Sequence, residues 1–141
     1  MSRTFLPALF FLLVFFCTTS CQQDEGAPDQ KQLLAKTWLV ASQVVQRNDG
    51  PKEDVYAQLE DCQKDDELIF FENGTYELNP GKDECQISVM EEGTWELYDK
   101  QLFIAEQEYE VQQLSSTVLV LGFKASKGDD KIVTTTTYKA K

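Results

Sequence analysis

The sequence predicts an all-β fold, an antiparallel barrel or sandwich of eight or nine short strands. Segments rich in β-branched and aromatic residues follow one another between residues 37 and 139, and most of them alternate apolar with polar side chains. Turn signals, among them Asn73-Gly74 and Asp99-Lys100, separate these segments about every 8–12 residues, a spacing typical of sandwiches and barrels. The 141 residues suffice for one such domain.

The first part of the chain predicts one strand between two helical segments. A short helical turn is expected over 31–36, and the β-branched and aromatic residues of 37–45 predict the first strand. A Gly-Pro pair predicts a loop over 48–54. Apolar residues at helical spacing then predict a short helix over 55–62.

The rest of the chain predicts strands joined by tight turns. Asn73-Gly74 is expected to supply the positive φ angles of a two-residue hairpin turn. Residues 85–98 are expected to form one or two strands with an interruption at 91–93, and the last loop is expected over 124–130. The predicted strands are 67–71, 75–79, 85–90, 93–98, 101–105, 108–114, 117–123 and 131–139.

The N-terminus has the layout of a secretory signal peptide. An apolar run of 12 residues, 5–16, follows Arg3, whereas a bilayer-spanning helix needs about 20 apolar residues. Small residues at 18–20 precede Cys21 and resemble the bacterial lipobox, in which the cysteine receives a diacylglycerol thioether before cleavage. Cys21 is therefore the predicted lipidation site, and its acyl chains would hold the protein on a membrane. Ordinary cleavage after a small residue, with Cys21 free or paired, is the alternative.

Residues 22–25 read Gln-Gln-Asp-Glu and look like the acidic export tag of Bacteroidetes-type lipoproteins sent to the outer face of the outer membrane. We therefore expect an outer membrane lipoprotein exposed on the cell surface; a solvated tether is the other explanation of these residues. The predicted organisation is a signal peptide over 1–20, a lipidated polar tether over 21–32 and one folded domain over 33–141.

The composition argues against several classes of function. The formal net charge is −11, whereas binding to nucleic acid or docking on anionic lipid needs a basic face. The chain has no histidine, which removes Ser-His-Asp and Cys-His catalysis and the common zinc sites. We predict that the protein is not an enzyme, requires no cofactor and binds no nucleic acid.

The acids between Glu60 and Glu67 form the densest group of potential metal ligands. Such oxygen ligands could bind calcium, but their spacing matches no EF-hand loop, and a solvated acidic loop explains them. Adjacent acids such as Asp65-Asp66 are also poor candidates for glycoside hydrolysis, because neighbours on a strand point to opposite faces. We therefore predict no metal site.

Two of the four cysteines are expected to pair. Cys17 leaves with the signal peptide and Cys21 carries lipid, so Cys62 and Cys85 remain in an export context that permits disulfides. A bridge between them would close a loop of about 23 residues and contribute roughly 3 kcal/mol to stability.

The block from Cys62 to Tyr76, "CQKDDELIFFENGTY", is the most specific part of a family resemblance. Together with Trp38, Cys85, "GTWELYDKQLFI" and Tyr138, it resembles the lipocalin-like lipoprotein domains common in Bacteroidetes, from about residue 33 to residue 138. Lys36 differs from the family pattern, which usually has Gly two residues before the tryptophan. The resemblance implies that 33–141 is an up-and-down lipocalin-like β-barrel of about eight strands, with a short helical segment.

The resemblance implies no particular ligand, and two functions stay open. An eight-stranded barrel is either filled by side chains or holds one small ligand. The first hypothesis is a membrane-anchored protein that binds a small apolar or amphipathic ligand without covalent chemistry. The second is a structural or accessory envelope lipoprotein whose filled barrel binds other envelope proteins. Trp38 is expected to plug the closed end, and the candidate ligand-binding residues are Phe70, Tyr76, Trp95, Leu97 and Tyr109.

Overall fold

The structure is a computed structural model that describes residues 29–82 and 90–141. Eight antiparallel strands in these residues close a barrel, in which each strand pairs with the next one along the chain and the last pairs with the first. The predicted all-β barrel is therefore confirmed. The described residues form nine strands, and all of them except β2 belong to the barrel. They are β1 (Thr37–Arg47), β2 (Lys52–Asp54), β3 (Glu67–Phe70), β4 (Thr75–Asn79), β5 (Glu91–Tyr98), β6 (Gln101–Ile104), β7 (Gln107–Leu114), β8 (Val118–Lys127) and β9 (Asp130–Ala140).

The pairing of β1 with β9 closes the barrel. Its register runs from Trp38 opposite Ala140 to Arg47 opposite Ile132, with an irregularity between Val40 and Ser42. On its other edge, β1 pairs first with β3 and then, near its end, with β2. Closure leaves the eight barrel strands without a free edge, which removes a hazard of open sheets.

The loop predicted over 48–54 is wrong in its last part, because residues 52–54 form β2. The strand β1 is longer than its partner β3, so the edge over 44–46 would otherwise lack a partner; Val44 pairs with Asp54 and Gln46 with Lys52. Such pairing satisfies backbone groups that would otherwise need water.

Two other strand boundaries also differ from the prediction. The interruption expected at 91–93 is wrong, because β5 begins at Glu91 and includes these residues, and Gly93 pairs with Tyr76. The loop expected over 124–130 is far shorter, because β8 and β9 continue pairing to Lys127 opposite Asp130. Gly128, at φ +65°, supplies the turn between them. The strand predicted over 85–90 lies almost entirely outside the described residues.

The predicted helix over 55–62 is divided into two shorter helical segments. A 3₁₀ turn covers Tyr56–Gln58, and α2 covers Asp61–Lys64. The break lies at Glu60, whose side chain and that of Gln63 form a capping box that starts α2. The helical turn expected over 31–36 is observed as α1, Gln30–Leu34.

The turn between β3 and β4 uses glycine alone for its positive φ angle. Gly74 has φ +84°, whereas Asn73 is not among the described residues with positive φ, so that part of the prediction is wrong. Asn73 acts instead through its side chain, whose Oδ1 accepts hydrogen bonds from the Thr75 amide at 3.0 Å and hydroxyl at 2.7 Å. This Asx turn holds the chain reversal through side-chain hydrogen bonds, so Asn73 does not need the positive φ angle that was expected.

One end of the barrel, which we call the α1 end, is a packed core beneath α1. Trp38 and Leu34 are fully buried there, and the Trp38 indole donates to the Leu34 carbonyl over 2.9 Å. Phe70 and Trp95 meet edge to face with ring centroids 5.6 Å apart. Lys36, the departure from the family pattern, lies over the Trp38 ring at 5.6 Å and donates to the Ser116 carbonyl. The Lys36 side chain therefore packs over Trp38 at the α1 end.

Neither α1 nor α2 resembles a membrane-spanning segment. Across 29–82 and 90–141, no helix has both the length and the apolar composition needed to cross a bilayer.

Candidate ligand-binding cavity

The opposite end of the barrel, which we call the cavity end, holds a partly open cavity of about 260 Å³. Its apolar wall consists of Val40, Leu68, Leu78, Ile104 and Ala105. Its polar wall consists of Asp66, Tyr76, Glu91, Gln107, Tyr109 and Tyr138. Apolar walls with a few convergent polar groups are characteristic of small-molecule sites, and the volume lies near the lower limit of such pockets, about 300 Å³.

Strand alternation explains why these residues meet. On β4, Tyr76 and Leu78 are two residues apart and therefore share one face. Leu78 pairs with Leu68 on one neighbouring strand and with Glu91 on the other. The register thus aligns apolar residues and one carboxyl group on the inner face at the cavity end.

Tyr76 is positioned by a glycine and an acid on β5. It pairs with Gly93, where an added Cβ would lie only 2.8 Å from Cε1 of the tyrosine ring. Because Gly93 has no side chain, the ring fits against this strand, and the hydroxyl donates to Oε1 of Glu91 over 2.7 Å. Burial, together with this bond to Glu91, raises the pKa of Tyr76 to about 12.

Two further tyrosines complete an aromatic wall. The Tyr109 ring lies 5.4 Å from that of Phe123 at an interplanar angle of 40°. Tyr138 is paired with Val40 on β1 and with Leu119 on β8, and it lines the cavity. Burial raises the pKa of Tyr138 to about 12, and burial followed by the charge of Glu91 raises the pKa of Tyr109. All three phenols are therefore neutral at ordinary pH and available as hydrogen-bonding groups.

Asp66 stands beside the cavity at the junction of α2 and β3. Burial raises the pKa of Asp66, a hydrogen bond from the Gly81 backbone N–H to its carboxylate lowers it by less, and the neighbouring charge of Asp65 also raises it, so the net pKa is raised. Its Oδ1 atom is buried and accepts no hydrogen bond in the described part of the chain. A Cβ at Gly81 would overlap the Asp65 side chain, so only glycine brings this N–H so close. Lys82 N–H also donates to Asp65 Oδ2, over 2.7 Å.

The cavity wall is electrostatically one-sided. Asp66 and Glu91 contribute carboxyl groups, and no lysine or arginine lies among the lining residues. The ion pairs formed between described residues lie elsewhere, and they are Lys64–Asp61, Lys124–Glu110 and Lys141–Glu67. A solute in the cavity is therefore exposed to negative charge from the wall.

The five candidate ligand-binding residues fall at both ends of the barrel. Tyr76 and Tyr109 line the cavity. Phe70, Trp95 and Leu97 lie in the packed core, with 2%, 4% and 9% of their surfaces exposed. Trp95 and Leu97 also border a separate groove of about 200 Å³ on the outside of the α1 end. Their part in ligand binding stays a prediction.

Sequence reasoning identified Tyr76 and Tyr109 in the polar wall of the cavity but missed Asp66, Glu91, Gln107 and Tyr138. Glu91 precedes Gly93, Trp95 and Leu97 at steps of two, so strand alternation could have placed it on their inner face. Tyr138 lies near the end of β9, and strand alternation could have placed it on the inner face in the same way. No periodic signal identifies Asp66, because its position depends on the backbone of Gly81, 15 residues further along the chain.

Several other predictions concern residues outside the described part of the chain. Cys62 lies in α2, but Cys85 falls within 83–89, so the Cys62–Cys85 disulfide stays a prediction. Cys21 and the whole signal region, 1–20, also lie outside it. Within 29–82 and 90–141, no three Cys, Asp or Glu side chains come together as a metal site would require.

Comparison with known proteins gives one match. A family model described as a lipocalin-like domain matches residues 34–121, which is more than half of the chain. The matched region begins at the buried Leu34 and ends at Leu121, so it includes six complete barrel strands, β1 and β3 to β7, and the first part of β8. Neither the curated proteins nor the solved structures include a significant match.

Proposed function

This chain belongs to the lipocalin-like domain family, and from that premise we propose that it binds one small amphipathic molecule in the cavity end of its barrel. The observation that carries the proposal is the cavity of about 260 Å³, which has aliphatic residues on one part of its wall and tyrosines and acids on another. A ligand with an apolar body and a polar group would match both parts.

The asymmetry of the barrel favours ligand binding over a purely structural role. A barrel of eight strands has an interior that side chains are just able to fill, and at the α1 end they do fill it. At the cavity end, half-buried residues such as Leu78, Ile104 and Tyr138 surround space instead. An accessory protein acting through its outer surface would gain nothing from leaving that space open, because unfilled volume costs stability.

The proposed role is binding without covalent chemistry. The chain has no histidine, so the wall offers no imidazole base, and its tyrosines hold their protons up to high pH because their pKa values are raised. Retention and release of an unmodified molecule is the function that such a wall supports.

We further propose that the barrel is displayed on the outer membrane by a lipid on Cys21. The apolar run, the small residues before Cys21 and the acidic residues after it support this proposal. The intact mass of the membrane-extracted protein is expected to exceed that of the chain from Cys21 onward by a diacylglycerol and an acyl group. Cys21→Ser should remove these added groups from the measured mass. A wild-type mass without the diacylglycerol and the acyl group would contradict the anchor.

Native mass spectrometry tests the binding function. The protein is purified as its host makes it and incubated with small-molecule extracts of that host. We expect a stoichiometric adduct that disappears on denaturation. Ile104→Trp places an indole in the cavity and should abolish the adduct, whereas Phe103→Trp, one position along β6 and outside the cavity wall, should retain it. An adduct that survives Ile104→Trp, or no adduct under any condition, would contradict the proposal.

A further inference from the structure

We propose that the ligand of this cavity carries a protonated amine, held by Asp66 and Glu91 beside the rings of Tyr76, Tyr109 and Tyr138. The inference rests on the proposed function, because it names the chemical class of ligand for the same cavity. It follows from the charge of the wall, from an unmet hydrogen-bond acceptor and from the arrangement of the aromatic rings.

The charge of the wall favours a cation over an anion. Among the described residues, two carboxyl groups and no basic side chain line the cavity. A carboxylate or phosphate ligand would approach like charge with no compensating cation, and such juxtaposition is a strong element of discrimination. The rest of the molecule also favours a cation, since the formal net charge of the chain is −11 and its electrostatic potential attracts positively charged solutes.

The unmet acceptor favours a ligand that donates a hydrogen bond. Oδ1 of Asp66 is buried and has no hydrogen-bond partner among the described residues. Burying a carboxylate oxygen without a hydrogen-bond partner costs free energy, even where, as here, the carboxylate also accepts a bond from the Gly81 N–H. An ammonium group against the Asp66 side chain, which lines the cavity, would supply both a charge-assisted hydrogen bond and a compensating charge, whereas a hydroxyl group would supply only a hydrogen bond.

Glu91 provides the second carboxylate, near the opening of the cavity. Its side chain is solvent-exposed, and the Tyr76 hydroxyl holds its Oε1 atom over 2.7 Å. No lysine or arginine in the described part of the chain forms an ion pair with it. Glu91 is therefore held in place and has no cationic partner, as a group that binds a cation from solution requires.

The aromatic rings and the aliphatic wall divide the ligand into two parts. A cation within about 6 Å of a tyrosine face gains cation–π attraction, and three tyrosines line the same cavity as the two acids. Val40, Leu68, Leu78 and Ile104 then accept an apolar tail. The volume of about 260 Å³ limits that tail to a short chain or a single small ring.

Calorimetric titration with three hexyl compounds tests the proposal on the full-length protein. Hexylamine, hexanol and hexanoate share one apolar tail and differ only in the charge and donor capacity of the polar group. Hexylamine is expected to bind about tenfold more tightly than hexanol, the factor for one charge-assisted hydrogen bond. Hexanoate is expected to bind most weakly.

Two charge-neutralising variants locate the effect. Asp66→Asn should lower hexylamine affinity about tenfold and leave hexanol affinity within about twofold. Asp99→Asn is the matched control: it removes one charge from the β5–β6 turn at the α1 end, where φ is +54°, a conformation that Asn tolerates. It should change neither affinity. Circular dichroism establishes that both variants fold.

The outcomes separate this inference from the proposed function. Hexanol binding as tightly as hexylamine, or an unchanged hexylamine affinity in Asp66→Asn, would overturn the amine proposal. Absence of hexylamine binding would also overturn it. The proposed function would still stand if hexanol, hexanoate or a host compound binds and Ile104→Trp prevents that binding. If nothing binds, both fail.

Discussion

The two ends of the barrel use the same strands for different purposes. On β6, Leu102 is fully buried at the α1 end, whereas Ile104, two residues further, lines the cavity. On β5, Trp95 and Leu97 lie in the core, whereas Glu91 on the same face carries a charge beside open space. One end is filled by large apolar groups and the other is surrounded by tyrosines, acids and aliphatic residues.

The difference shows how a short chain can provide both stability and a binding site. The indole donors of the core find carbonyl partners, Trp38 at Leu34 and Trp95 at Phe71, so the α1 end leaves few polar groups unsatisfied. The cavity end keeps a buried acceptor without a partner at Asp66. Protein stability is expected to depend on the first end and ligand affinity on the second.

The largest effect is expected from a matched pair of truncations on β6. Leu102→Ala should lower the free energy of unfolding by about 2–5 kcal/mol, because it opens a void in a filled core. Ile104→Ala should lower it by less than half as much, because one side of that residue already borders the cavity. Urea denaturation measures both. Equal losses would mean that the two ends are packed alike.

A smaller effect is expected at Gly93. Gly93→Ala places a Cβ about 2.8 Å from the Tyr76 ring, so the ring must shift, at a cost of about 1–3 kcal/mol. The shift should also break the bond to Glu91 and weaken ligand binding. The same denaturation experiment, with the hexylamine titration, measures both effects. Unchanged stability and affinity would show that the glycine is not needed for this placement.

A third prediction concerns two phenol groups of the cavity wall. Tyr76→Phe removes the hydrogen bond to Glu91 and should cost about 1 kcal/mol. Tyr138→Phe is the matched control, because the Tyr138 hydroxyl forms no hydrogen bond with a described residue, and it should be nearly neutral. A larger loss of unfolding free energy in Tyr138→Phe than in Tyr76→Phe would contradict the hydrogen bond between Tyr76 and Glu91.

The last prediction is a dependence of stability on alkaline pH. Tyr76 and Tyr138 have pKa values of about 12 in the folded protein, against an ordinary value of 10.0, so the native state holds these protons more tightly than the unfolded chain. Their contribution to stability is complete below pH 10 and is lost as the pH rises from about 10 to about 12. The urea midpoint should fall over that interval, and less steeply in Tyr76→Phe. A midpoint that stays constant would contradict the raised pKa values.

Much of the fold could be predicted because its signals are local. Alternation on β4 and the turn at Asp99-Lys100 are properties of adjacent residues. The pairing of β2 with β1 could not be predicted, since it depends on β1 being longer than its other neighbour. The Asx turn at Asn73 and the passage of β5 through Gly93 likewise depend on side-chain contacts that period-two reasoning does not include.

The cavity was harder to predict than the barrel. Apolar alternation identifies inward positions but not whether side chains fill the space between them, so it does not separate Phe70, Trp95 and Leu97 in the core from Tyr76 and Tyr109 in the cavity wall. The acids of the wall were passed over because charged residues are usually solvated. Glu91 lies inside the alternating pattern, whereas Asp66 depends on a distant backbone N–H.

Methyl NMR during a hexylamine titration tests the central claim most directly, because it observes both ends of the barrel at once. We expect saturable shift changes at Val40, Leu68, Leu78 and Ile104, whose methyl groups belong to the cavity wall. Leu34, Leu102 and Leu119, which are fully buried at the α1 end, should serve as internal controls and stay unchanged. Saturable changes centred on Leu34, Leu102 and Leu119, or no saturable change anywhere, would contradict the account.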